Sequence, residues 1–170
     1  MRAFAWFAAG GFAPVWARAS RYEYQIDAWP PTQPTPALEA VDLEGHAWRL
    51  GDLRGRAVLL NFWASGCRPC SAEMPELQNL AAIYGPSKLA VLTIADREPR
   101  AVVAGYVDAS HLALPVLLDP NGELARQWGV KRLPTTVLID AAGRPRQSVQ
   151  GPMQWTGAMA QRLIAALLPH

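Results

Sequence analysis

Cysteine is nearly absent: the 170 residues contain two. That excludes a small domain held together by several disulfides. Histidine is scarce as well, with His46, His111 and His170 scattered along the chain. No apolar run reaches the ~18 residues that a membrane-spanning helix needs, and no internal repeat is visible. Charge of one sign is also lacking, with a net of +2 from 16 basic and 14 acidic residues. Two of the basic residues, Arg2 and Arg18, fall in a stretch that reads as a removable leader. The remainder then carries 14 of each sign, and a neutral domain has no global field to draw it to nucleic acid or an anionic membrane. What is present is apolar. Hydrophobic residues make up 51% of the chain and charged residues 18%, which suits one domain with a full core and excludes a disordered chain.

The N-terminus has a leader pattern. Met1-Arg2 precedes an apolar stretch, Ala3–Trp16, and then Ala17-Arg18-Ala19. A positive start, a short apolar centre and a small-x-small cleavage signal describe a signal peptide over residues 1–19. Gly10, Gly11 and Pro14 weaken a long helix there. A buried N-terminal helix and an uncleaved anchor, tethering the chain through residues 3–16, are the alternatives. No cysteine follows the stretch, so it is not a lipoprotein signal. Export places the protein in an oxidising compartment, with the periplasm as the expected location. Residues 20–37 read as a Pro-rich linker, because Trp29–Pro36 holds four prolines in eight positions and such a run favours extended geometry. A ligand for a proline-recognising domain is the other reading. The domain proper is expected over 38–170.

Leu38–Leu50 alternates around Glu44-Gly45, as a β-hairpin does. Ala57–Ala64 is almost continuously apolar, like a strand buried on both faces. Met74, Leu77, Leu80, Ala81 and Tyr84 recur at helical spacing. Leu89–Ala95 reads as another buried strand, Ala101–Val107 as a helix and Leu114–Leu118 as a short apolar stretch. Asn121–Trp128 reads as a short helix stopped by Gly129. Thr135–Ile139 and Arg146–Gln150 read as strands flanking an Ala142-Gly143 turn, and Trp155–Leu168 as a closing helix. A β-α-β-α start and a β-β-α finish imply an α/β fold with a central mixed sheet covered by helices.

The two cysteines, Cys67 and Cys70, are spaced C-x-x-C where the first long strand gives way to a helix. Tetrahedral zinc needs four ligands, and no second pair exists. Haem attachment needs a histidine after the second cysteine, and residue 71 is Ser. A structural disulfide closing four residues is worth only about 2 kcal/mol in the loop-entropy account. A redox-cycling dithiol remains, needing no other cofactor. Cys67 at a helix N-terminus would be favoured as thiolate, the attacking species. Cys70, one turn further in, is the shielded partner.

Residues 61–77, NFWASGCRPCSAEMPEL, resemble the active-site segment of thioredoxin-fold proteins, and more narrowly of the exported TlpA/ResA-like thiol–disulfide oxidoreductases. LPVLLDPNGELARQWGV (114–130) and LPTTVLIDAAGR (133–144) extend the likeness, which covers roughly Leu38 to Leu168. It implies a thioredoxin-like fold with an N-terminal hairpin. Pro134 matches the family's cis-proline, facing the dithiol and leaving the Leu133 backbone to pair with an extended substrate; a trans proline opening a strand is the plainer reading. Glu73 matches a glutamate implicated in proton handling, and burial would raise its pKa; it could equally complement the helix dipole. Asn61 stands where ordinary thioredoxins carry a titratable Asp. Pro69 fits the helix start, and Pro75 is expected to kink the helix. Arg68 either favours the thiolate or is a solvated charge. The chain departs from the family at Gly66, where a Trp is typical. Trp63, Trp128, His46 and His111 read as core or loop residues. The resemblance implies protein disulfide and dithiol substrates, use as a reductant, a membrane electron-donor protein and, in several relatives, cytochrome c maturation. A non-catalytic binding module and a Cu(I) chaperone using both thiolates are the competing classes.

Overall fold

The computed structural model describes residues 23–169; the leader of residues 1–19 and His170 lie outside the described residues. Eight strands and four helices follow one another: β1 Gln25–Ala28, β2 Glu39–Val41, β3 Ala47–Arg49, β4 Ala57–Trp63, α1 Arg68–Tyr84, β5 Leu89–Asp96, α2 Arg100–Ser110, β6 Val116–Asp119, α3 Glu123–Gln127, β7 Thr135–Ile139, β8 Pro145–Gln150 and α4 Ala158–Ala165. Six strands form one sheet in the order β1-β8-β7-β4-β5-β6, and β2-β3 is a separate hairpin. β4 pairs parallel with β5 and antiparallel with β7, so the sheet is mixed. None of the helices among the described residues is long and apolar enough to cross a membrane.

β4 occupies the centre because its sequence can be buried on both faces. All seven of its residues are buried. Side chains alternate along a strand, and here the alternation separates two cores. Leu59 and Trp63 join Cys70, Met74, Leu77 and Leu80 of α1 and Ile164 of α4 on one face. Val58, Leu60 and Phe62 join Leu124 and Trp128 on the other. Each fully buried aliphatic contributes about 1.5–3 kcal/mol from its removal from water. The same alternation turns Asn61 toward α1, between Leu59 and Trp63. On β7, Thr136 shares that face with Leu138.

Two expected boundaries are corrected. The stretch 20–37 is not wholly a linker, because Gln25–Ala28 is the edge strand β1, antiparallel to β8. The proline-rich run after it also lies against the domain. Trp29 donates its N–H to the Arg146 carbonyl at 2.9 Å, and its ring meets that of Trp128 at 5.8 Å. A strand of four residues, none of them fully buried, is too short to show a period of two beside the prolines that follow. The closing helix is also shorter than Trp155–Leu168. It begins after the Gly157 N-cap, and Trp155 lies in the preceding loop with its side chain fully buried.

Gly151 joins β8 to that loop and packs tightly on Glu23 and Tyr24, which lead into β1. Its φ is +99°, and a Cβ there would stand 2.5 Å from the Glu23 carbonyl oxygen. Both the left-handed backbone and the close approach favour glycine. Gly151→Ala is therefore expected to lower stability by about 2 kcal/mol, measured by urea unfolding. A loss under about 0.5 kcal/mol, in the range of ordinary surface substitutions, would contradict this account of the junction.

Candidate active site

Cys67 and Cys70 meet in a disulfide at the N-terminus of α1, with an S–S distance of 2.02 Å. Cys67 is the N-cap residue, and its sulfur accepts the Cys70 N–H at 3.3 Å. That sulfur therefore lies where the first N–H groups of a 17-residue helix converge and where the helix dipole favours negative charge. The two cysteines differ in access: Cys67 is partly exposed, whereas Cys70 is fully buried. Arg68 and Pro69 occupy the exposed first turn between them. Gly66 is exposed too, and a Cβ there would meet nothing within 4 Å.

Neighbouring elements brace this turn. Ser65 donates both its N–H and its hydroxyl to the Glu98 carboxylate beyond β5. Ser71 donates its N–H to the Cys67 carbonyl at 3.1 Å, and Tyr106 of α2 donates to the Ser71 hydroxyl at 2.9 Å. The Tyr106 ring packs on buried Trp63 at 4.7 Å. Trp63 and Trp128 are both core residues, as their apolar surroundings in sequence suggest.

The peptide bond between Leu133 and Pro134 is cis. Pro134 is buried and Leu133 half-buried. The Pro134 carbonyl accepts the Gly151 N–H at 2.8 Å, and among the described residues no backbone hydrogen bond engages Leu133. The Leu133 N–H and carbonyl are thus free to pair with an extended chain, as in strand addition.

Glu73 follows Cys70 on the α1 stripe that continues through Leu77 and Leu80, and this spacing carries it into the core at 3% exposure. Its Oε1 accepts from Asn61 Nδ2 at 2.7 Å. Its Oε2 accepts from the Met153 N–H at 3.3 Å and from the Trp155 indole at 3.2 Å. Burial pushes its pKa up to about 7 from 4.5; the three donors oppose the rise and Glu76 adds to it. The helix-dipole reading alone does not describe a carboxyl so enclosed. Met153 and Trp155, which bond to it, and Thr136, which bonds to Asn61, were not singled out by sequence reasoning. The one signal was Trp155, since a buried indole N–H needs an acceptor.

The histidines lie elsewhere. His46 sits in the hairpin turn, where its ring and N–H reach Asp42. Burial works against the Asp42 carboxylate, but hydrogen bonds from Trp48 and His46 outweigh it and hold its pKa below the usual range. His111 ends α2 in the left-handed conformation. Neither is among the groups that contact the dithiol or Glu73.

A mixed sheet between helices, a dithiol capping a helix and a cis-proline segment define a thioredoxin-like oxidoreductase site. The chain belongs to the AhpC/TSA family, whose pattern matches residues 31–147. It is 36% identical over 118 residues to the thiol-disulfide oxidoreductase ResA of Geobacillus kaustophilus, covering 69% of this chain and 68% of that protein. Identity to the ResA of Geobacillus thermodenitrificans is 38%, with the same coverage. Among solved structures, a thiol:disulfide interchange protein of the thioredoxin family from Chlorobium tepidum superposes with a TM-score of 0.69 at 26% identity, over 83% of this chain and 98% of that one. The exposed lipoprotein thioredoxin Etrx1 of Streptococcus pneumoniae gives 0.67 at 32% identity, over 75% and 97%. The protein is a thiol–disulfide oxidoreductase of this ResA-like group.

The raised pKa of Glu73 sets a stability window. Between about pH 4.5 and pH 7 the folded protein holds a proton that the unfolded chain has released, so stability falls as pH rises through that window and is flat above it. At roughly 1.4 kcal/mol for each pH unit between the two values, the fall is about 3 kcal/mol. Urea unfolding of the oxidised protein should show this decline, and Glu73→Gln should remove most of it. Parallel stability profiles for the two proteins would refute the assignment.

Proposed function

We propose that the protein is an exported, periplasmic reductant of protein disulfides, recharged by a membrane-bound dithiol donor. The observation that carries the reading is the unequal access of the two sulfurs at one helix N-terminus: Cys67 partly open on the N-cap, Cys70 fully buried behind it. Likeness to the ResA proteins supports the reducing direction, and work on cytochrome c maturation is proposed on that likeness and on the family resemblance. The leader pattern of residues 1–19 supports export.

In the proposed cycle the Cys67 thiolate attacks one sulfur of a substrate disulfide. A mixed disulfide forms, and the other substrate sulfur leaves as a thiolate that takes a proton from solvent. Cys70 then gives its thiol proton to the Glu73 carboxylate and attacks the Cys67 sulfur. The Cys67–substrate bond breaks, and the second substrate thiolate departs. Two electrons have passed to the substrate, and the Cys67–Cys70 disulfide remains for the donor to reduce. Leu133 and Pro134 hold the substrate backbone beside the sulfurs, and Arg68 lies on the rim that an incoming chain meets. A carboxyl with a pKa near 7 suits the proton step, since acid–base groups work best near the ambient pH.

Cys67→Ser should abolish reduction of a protein disulfide, and Cys70→Ala should accumulate a covalent mixed disulfide that reductant releases. Full activity in Cys67→Ser would rule out the mechanism. Equilibration with glutathione tests the direction: a potential more negative than the glutathione pool fits a reductant, whereas one near about −120 mV, as in strong oxidants, would reverse it.

A further inference from the structure

Every group that hydrogen-bonds to the Glu73 carboxyl is a donor. Oε1 takes Asn61 Nδ2 at 2.7 Å, and Oε2 takes the Met153 N–H at 3.3 Å and the Trp155 indole at 3.2 Å. Such a set suits a carboxylate, which only accepts. A carboxylic acid brings a hydrogen that needs an acceptor. On Oε2 that hydrogen would face two N–H groups, one fixed by the backbone and one by an indole ring. On Oε1 it would face the Asn61 amide hydrogens.

Of these three partners only Asn61 can change its role. A carboxamide has an acceptor at one end and two donors at the other, in nearly the same volume. The acceptor end, Oδ1, is buried without a hydrogen-bond partner among the described residues. The donor end is fully used, since its second hydrogen goes to Thr136 Oγ1 at 2.9 Å. Thr136 is itself a hydroxyl, able to accept or to donate. Rotating the Asn61 carboxamide by half a turn would let Oδ1 accept from both Glu73 and Thr136. One polar end of Asn61 lacks a partner in either orientation, so neither orientation is favoured on that count.

We propose that Asn61 is a positioning residue for proton transfer at Glu73, its carboxamide turning so that Nδ2 faces the carboxylate and Oδ1 faces the carboxylic acid. This rests on Glu73 serving as the proton acceptor for Cys70. The groups around Glu73 from β4, β7 and the 151–157 loop are neutral: Asn61, Thr136, Met153 and Trp155. The charged neighbour acting on it is Glu76, on its own helix, which disfavours the carboxylate; the Cys67–Cys70 pair lies one turn earlier on α1. With a partner that serves both protonation states, Glu73 can take up and release a proton while its backbone stays in place.

Neutron diffraction from crystals of the perdeuterated protein at about pH 5 and about pH 9, on either side of the Glu73 titration, reads the amide directly. Deuterium should appear on the end facing Glu73 at the higher pH and on the opposite end at the lower. The same end facing Glu73 at both would overturn the proposal. Asn61→Asp replaces the donor by an acceptor and a charge, so the pH midpoint for resolution of the mixed disulfide should move up by about one unit, a roughly tenfold loss of rate at pH 6. A folded Asn61→Asp protein with the wild-type midpoint would also overturn it. The proton role is judged separately. If Glu73→Gln keeps the wild-type pH profile, that role fails, while the neutron maps still decide whether the amide turns.

Discussion

The chemistry of this domain depends on one contact, the Cys67 sulfur capping the N-terminus of α1. A helix end exposes N–H groups that its own backbone cannot satisfy. Here the N-cap is a sulfur atom that accepts one of them from Cys70. The same donors that would otherwise bind water or a serine hydroxyl stabilise a negative sulfur. The position is set by β4, which carries the chain up the centre of the sheet and releases it at Trp63, and by the turn through Ala64–Gly66. Ser65, Ser71 and Tyr106 tie that turn to the loop after β5 and to α2. A displaced turn would leave the sulfur partly exposed but outside the helix field.

Behind the cap the site becomes dry, and that division puts the two sulfurs in different surroundings. Cys70 and Glu73 lie on the same helical stripe as Leu77 and Leu80, so both are carried into the core with the aliphatic residues. An aliphatic residue at position 73 would pack more simply. A carboxyl there costs desolvation energy, which three hydrogen bonds only partly offset. The result is an acid that ionises near neutrality one helical turn beyond a buried sulfur. Asn61 and Thr136, contributed by the two central antiparallel strands, complete a polar island inside an otherwise apolar layer.

Much of the frame was legible in the chain because it rests on local rules. The continuous apolar run of β4 requires burial on both faces. The spacing from Met74 to Tyr84 requires a helix, and a Cys at its start requires a cap. Gly129 marks the end of a short helix. The edge strand β1 was not legible, since four residues before a proline run show no usable period and gain their order from pairing with β8, more than 100 residues away. Trp155 was assigned to the last helix for a similar reason: its apolar character fits a helical stripe, and only its indole bond to Glu73 explains why it sits in the loop.

Residue order alone determined the dithiol and the helix beginning at it, because each follows from the chemistry of neighbours within a few positions. Tertiary structure alone decided what Glu73 meets. Its partners come from β4 and the loop after β8, up to 82 residues away along the chain. Their convergence is set by the pairing of β4 with β7 and of β7 with β8, and the ionisation of a buried carboxyl depends on that enclosure rather than on its place in the sequence.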